Sequence, residues 1–190
     1  MQELSQHLSH TLKKLRKEKE WSLDRTAKET GVSKAMLGQI ERGESSPTVA
    51  TLWKIAGGFH CSLSTFIEPY SIEPYNPHPS TLIRNANDLR HQPAKDKMLV
   101  APIFPFDPQL SFEVFELTLL PHYERYSEPH ETGVIEFVLV LEGEMELFVD
   151  QQWQTLTKGM SVRFAADKPH GYRNLSTVQA VFHNVIHYPR

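Results

Sequence analysis

SLDRTAKETGVSKAMLGQIERGESSPTVATLWKIAGGF, residues 22–59, decides the reading of the N-terminal half. Ser22 precedes Leu23 and Ala27, and its hydroxyl can accept from a free N–H of a first helical turn. Gly31 can supply the left-handed conformation that ends that helix. Ser33 then caps KAMLGQIER, which stops at Gly43, and Thr48 or Pro47 opens VATLWKIAGG. Outward from this stretch, Leu4, Leu8, Leu12 and Leu15 recur at helical spacing and predict a helix over roughly 3–18. On the other side, Ser62 opens a fifth short helix, LSTFI.

The period changes near residue 70. PYSIEPYNPHP, residues 69–79, holds four prolines and reads as an extended linker, because proline fixes φ and removes a donor. Beyond it, 112–120, 134–141, 144–150, 160–164 and 178–188 are short, β-branched or aromatic, and separated by turn residues. Short strands at regular spacing predict a sandwich or barrel. The expected layout is a helical domain over 1–69, a linker over 70–80 and a β domain over 81–190. The net charge of −3 hides an asymmetry: residues 1–70 carry 10 Lys/Arg against 8 Asp/Glu, whereas 71–190 carry 10 against 15. Lys13, Lys14, Arg16, Lys17 and Lys19 cluster near the N-terminus, which permits phosphate contact there. No apolar run approaches the roughly 18 residues of a membrane span. A single cysteine, Cys61, rules out an internal disulfide framework and fits a reducing compartment, so a cytoplasmic protein is expected.

Helix, short glycine turn and capped helix form the helix-turn-helix signature. From Leu12 to Phe66 the chain resembles the phage-repressor (XRE-like) helix-turn-helix domain, a five-helix lambda-repressor-like fold. The resemblance rests on an alanine in the second helix, Gly-Val-Ser at the turn, Ile-Glu-Arg-Gly, Ser-Pro-Thr and a Leu-x-x-Ile-Ala helix. It implies a third helix in the major groove of double-stranded DNA, with Lys34, Ala35 and Gln39 over base edges and Ser33 at a phosphate. Lysine can donate to guanine, glutamine can pair with adenine, and Ala35 can make only an apolar contact. Arg42, Thr48 and Lys54 are implied as backbone contacts, and Arg16 with Glu41 as a structural ion pair.

The C-terminal half resembles the cupins, whose fold is a double-stranded β-helix, a jelly-roll barrel. Gly159, Ala165, Asp167, His170 and Asn174 keep the spacing of the second cupin motif, with its Pro and Gly replaced. Glu136 and Gly143 fit the first motif. A three-residue spacer puts His130 in the first histidine position and Thr132 in the second. A longer spacer makes His130 the second, with Glu128 in place of the first. One histidine is missing either way. The resemblance implies a site of His130, Glu136 and His170, with Glu128 as a possible fourth ligand, for one divalent metal ion: zinc, iron, nickel or manganese. The competing reading is that these residues hydrogen-bond a small polar ligand or one another. Tyr123, Arg125, Tyr126, Arg163 and Tyr172 are candidates for the wall of a ligand pocket. An inward arginine would need an anionic partner, which points to a carboxylate such as an amino acid.

Together the two resemblances imply a DNA-binding transcriptional regulator, not an enzyme. Its cupin would sense a small-molecule effector, and it would act as a homodimer on an operator, with no membrane partner. Rearrangement is expected at the Pro-rich linker. The alternatives are a metal-dependent dioxygenase or isomerase fused to a DNA reader, and an antitoxin-like protein whose barrel binds a partner protein.

Overall fold

The structure is a computed structural model that describes residues 2–68, 81–91 and 96–189. The Pro-rich segment expected at 70–80 lies outside the described residues.

Helices α1 (Gln2–Glu18), α2 (Leu23–Thr30), α3 (Lys34–Glu41), α4 (Val49–Phe59) and α5 (Ser64–Ile67) build the N-terminal half. The serine and threonine caps act as local chemistry dictates. Ser22 Oγ accepts from Arg25 N at 3.1 Å, Ser33 Oγ from Met36 N at 3.3 Å and Thr48 Oγ1 from Thr51 N at 3.1 Å. Gly31, at φ +65°, ends α2 and donates to Ala27 O. The last helix starts at Ser64 rather than directly after Ser62, whose hydroxyl instead bonds those of Ser64 and Thr65. Leu8, Leu12, Leu37, Ile40, Leu52, Ile55 and Phe59 are buried from three helices into one centre. Arg16 joins α1 to α3 through a two-point contact with Glu41, at 2.5 and 2.8 Å.

A short helix, α6 (Ala86–Leu89), leads into β1 (Met98–Asp107), β2 (Phe112–Leu119), β3 (Tyr123–Ser127), β4 (Ile135–Glu142), β5 (Glu144–Val149), β6 (Gln152–Thr157), β7 (Ser161–Ala165), β8 (His170–Asn174) and β9 (Ala180–His187). They form two antiparallel sheets, ordered β1-β2-β9-β4-β7 and β3-β8-β5-β6, the jelly-roll arrangement. Strands β1, β3, β6 and β8 lie outside the ranges that sequence patterning marked. Alternation sets the inward faces: Phe115, Leu117, Val138, Val140, Leu147, Phe182 and Ile186 fill the barrel. Gly143, at φ +75°, turns β4 into β5 where an added Cβ would lie 2.4 Å from Gln179 O.

The two halves share one continuous apolar cluster. Trp53 of α4 meets Phe115 of β2 edge-on at 6.1 Å. Val49 N donates to Asp96 Oδ2 at 3.3 Å, Phe106 N to Ser64 Oγ at 3.0 Å, and Ser64 N to Glu113 Oε2 at 3.3 Å. Glu113 is fully buried at this junction and also accepts from the Tyr188 hydroxyl at 2.5 Å. Burial pushes its carboxyl above the ordinary carboxylate range, against the hydrogen bonds from Tyr188 and Ser64.

Candidate DNA-reading surface and barrel site

The cap at Ser33 fixes where α3 begins, and so which side chains its first turns present. Lys34, Ala35 and Gln39 are exposed, while Leu37 and Ile40 on the opposite face are buried. An amphipathic helix two turns long therefore holds one polar stripe outward on a fixed base. Lys34 Nζ reaches Asp24 at 2.8 Å and Arg42 pairs with Glu44 at 2.7 Å, all exposed, so these cations are free to exchange partners with phosphates or bases. Thr48 is spent on the cap of α4. Lys54, expected at the DNA backbone, lines the cavity between α4 and the barrel instead, because α4 turns that face toward β3.

Within the barrel, three elements converge. His130 sits in the loop after β3, Glu136 on β4 and His170 on β8, and their ligand atoms all lie within 4.8 Å of one another. His130 Nε2 is 2.8 Å and His170 Nε2 3.6 Å from Glu136 Oε1. The other carboxylate oxygen accepts from the Tyr172 hydroxyl and from Asn184 Nδ2 at 3.0 Å. Burial opposes charge on Glu136, yet the hydrogen bond from His130, the two imidazoles and the Tyr172 hydroxyl hold its carboxyl down at about 2. His170 Nδ1 donates to Lys168 O at 2.9 Å. A carbonyl only accepts, so that ring carries its proton on Nδ1. With Nδ1 so engaged, Nε2 is the ring atom turned toward the Glu136 carboxylate, and burial lowers the pKa of the imidazole against the raising effect of Glu136. The donor to Lys168 O matches the outer partner that orients metal-bound histidines, and two imidazoles with a carboxylate suit a divalent ion. The residues present fit such an ion.

The remaining sequence candidates separate by strand face. Glu128 is exposed at the mouth and outside the three-residue cluster, because β3 ends at Ser127 and Pro129 follows it. Tyr123 and Tyr172 are buried and inward. Burial drives the Tyr123 phenol up to about 12, and burial followed by the Glu136 charge raises that of Tyr172 further. Arg125, also inward on β3, reaches out of the barrel and sits 4.9 Å over the Trp53 ring. Tyr126 points the opposite way: it is 58% exposed and packs on Phe148 and Trp153, touching only the cavity rim. Arg163 lies opposite Phe137 in the β4–β7 register, exposed on the outer face of the five-stranded sheet and away from the cavity between the halves. Alternation along a strand explains both departures.

Sequence patterning missed Asn184, the second support of Glu136, which lies in the predicted strand 178–188 but reads there as a lone polar residue. It also left unassigned the motif residues Asn174 and Asp167. Asn174 Nδ2 bonds Leu119 O and Val178 O at 3.0 and 2.7 Å, and Asp167 Oδ2 accepts from Gly133 N at 2.9 Å. Cys61 lines the cavity between the halves, but burial and the Glu113 charge push its thiol up to about 12.

Comparison with known proteins places both halves of the fold. The helix-turn-helix family model matches residues 12–66 and the cupin domain model matches 115–186. The chain is 50% identical to the HTH-type transcriptional regulator SutR of Escherichia coli K12, over 100% of this chain and 99% of that protein. A crystal structure of an HTH_3 family transcriptional regulator from Vibrio cholerae superposes with a TM-score of 0.81 at 46% identity, covering 98% of each chain. The cupin_2 domain of an XRE family transcriptional regulator from Enterobacter cloacae is 49% identical, covering 50% of this chain and 100% of that one, with a TM-score of 0.49.

Proposed function

Because the chain belongs to the XRE-family helix-turn-helix transcriptional regulators with a C-terminal cupin domain, we propose that its DNA binding is governed by a small carboxylate-bearing effector bound at a metal-loaded cupin site. It is a DNA-binding regulator, and the full-length likeness to regulators sets aside the dioxygenase and isomerase readings of the barrel. Gln39, Lys34 and Ala35 read bases, and Ser33 and Arg42 hold phosphates. No helix among the described residues is long and apolar enough to cross a membrane, in keeping with action on cytoplasmic DNA.

The observation that carries the effector reading is the buried His130–Glu136–His170 cluster, with His170 Nε2 turned toward a carboxylate. A divalent ion held there would supply a Lewis-acidic anchor for an oxygen of the effector. Tyr172 and Asn184 hold Glu136 in place for it.

The protein acts as a homodimer, since one α3 reads only a half-site and two-fold symmetry doubles it. The surface assigned to self-pairing is the outer face of the five-stranded sheet. There Val114, Val185 and Phe137 stand in register across β2, β9 and β4, and Leu139 and Leu141 continue the stripe, with Phe137, Leu139 and Leu141 all more than a third exposed.

Elemental mass spectrometry on untagged protein, with operator binding measured before and after chelation, tests the reading. Near-stoichiometric metal in the wild type, absent from His170→Ala, is expected. Full metal retention in that variant would show the site to be elsewhere.

A further inference from the structure

Eight arginines fall among the described residues, and six of them pair with a carboxylate: Arg16, Arg25, Arg42, Arg84, Arg90 and Arg173. Of the other two, Arg163 is exposed on the outer sheet face of the single chain. Arg125 is half-buried and has neither remedy. Its Nε is shielded from water without a hydrogen-bond partner, Nη1 meets Met98 Sδ at 3.9 Å, the guanidinium lies over Trp53, and its side-chain hydrogen bond is with the Tyr123 hydroxyl rather than a carboxylate. A guanidinium carries five N–H groups in a fixed fork that matches a carboxylate, and buried donors left unmade are costly.

Arg125 opens onto a cavity of about 610 Å³, and the walls of that cavity come from both halves of the molecule. The barrel contributes Arg125, Glu128 and His130, and the reader contributes Trp53, Lys54 and His60. His60 and Glu131 pair across the rim. Lys54 makes no ion pair among the described residues, so two cations without a carboxylate partner, one from each half, face one space beside an aromatic ring.

We propose that this shared cavity is the effector's carboxylate subsite, with Arg125 as the anchor and Trp53 and Lys54 of the reader as its second wall. This rests on the effector reading above and adds that the DNA-reading half binds the ligand directly. Occupancy then acts on α4 without passing through the 70–80 segment. Helix α4 carries the motion into the reader because it is locked to α2: a Cβ on Gly58 would lie 2.7 Å from Glu29 O and from Thr30. A carboxylate bridging Arg125 and Lys54 clamps the reader to the barrel, fixing one spacing of the two reading heads in a dimer.

The test uses the full-length, metal-loaded protein and the L-α-amino acids, each in turn at millimolar concentration, beside their 2-oxo-acid and decarboxylated amine counterparts. Binding is read by calorimetry. At least one carboxylate should bind while its amine counterpart does not. Equal binding of amino and oxo acids supports the carboxylate alone as the recognised group, and preference for the amino acid adds Glu128 as the partner of its ammonium. Arg125→Met should weaken binding about tenfold or more. Trp53→Ala and Lys54→Ala, each checked for metal content and near-ultraviolet circular dichroism, should weaken it severalfold. Unchanged affinity in both reader variants would overturn the shared wall while leaving the barrel a sensor. Failure of every carboxylate to bind protein that still loads metal and binds DNA would overturn the carboxylate subsite and leave the metal reading standing.

Discussion

The reader and the barrel place their chemistry in opposite ways. In the reader, the base-facing side chains sit on one two-turn helix and are exposed, so a serine cap and a glycine turn a few residues away suffice to aim them. In the barrel, the three clustered residues come from a loop and two strands on different sheets, and Glu136 and His170 are almost fully buried. An exposed side chain can be replaced with little cost to folding, whereas a buried charge is tied to its neighbours' hydrogen bonds. Mutation should therefore separate binding from stability in the first region and not in the second.

The largest expected effect breaks the barrel's side of this contrast. Glu136→Ala strands His130, Tyr172 and Asn184 without their acceptor, and should lower unfolding stability by about 3–5 kcal/mol in chemical denaturation while abolishing metal uptake. A variant as stable as wild type would show that the cluster is not held as tightly as its burial implies. Gln39→Ala sharpens the other side: about 1–3 kcal/mol should be lost on the specific operator by anisotropy titration, with the melting curve unchanged. Equal loss on random duplex would argue against base reading. Ser22→Ala should cost only about 1 kcal/mol of stability, through the lost cap of α2.

The smallest effect lies where the two regions meet. The Glu113 carboxyl is raised in the folded state, so its contribution is fully present below the unfolded carboxylate pKa and is lost as pH rises through the higher folded value. Tyr188, Ser64 and the Cys61 thiol surround it. Glu113→Gln should flatten the fall in stability with rising pH, as followed by thermal melts across mildly acidic to neutral buffer. An unaltered slope would place the pH dependence elsewhere.

How far each region could be read beforehand follows from the same difference. The helices of the reader were legible because caps and apolar spacing act within a few residues, and the resemblance then located α3. The ranges for β2, β4, β5, β7 and β9 were legible because their inward residues are apolar. Strands β3 and β8 were not, since their inward positions are Tyr123, Arg125, His170, Tyr172 and Asn174: a strand that carries the chemistry loses the pattern that marks it as a strand. In β1, Pro102 and Pro105 conceal an edge strand with register shifts, where missing N–H groups are tolerated. The face of Arg163 and Tyr126 depends on register, which a sequence window does not contain. The engagement of Trp53 and Lys54 with the barrel depends on packing between segments far apart in the chain.

The depressed acidity of Cys61 also has a practical use. With its thiol pushed up to about 12 by burial, Cys61 carries little of the reactive thiolate near neutral pH. A cysteine introduced at an exposed site would be alkylated far faster. Spin labels or fluorophores can therefore be set on α4 and on the exposed turn between β5 and β6 without deleting the native residue, and the distance between reader and barrel can be followed in an otherwise unaltered chain.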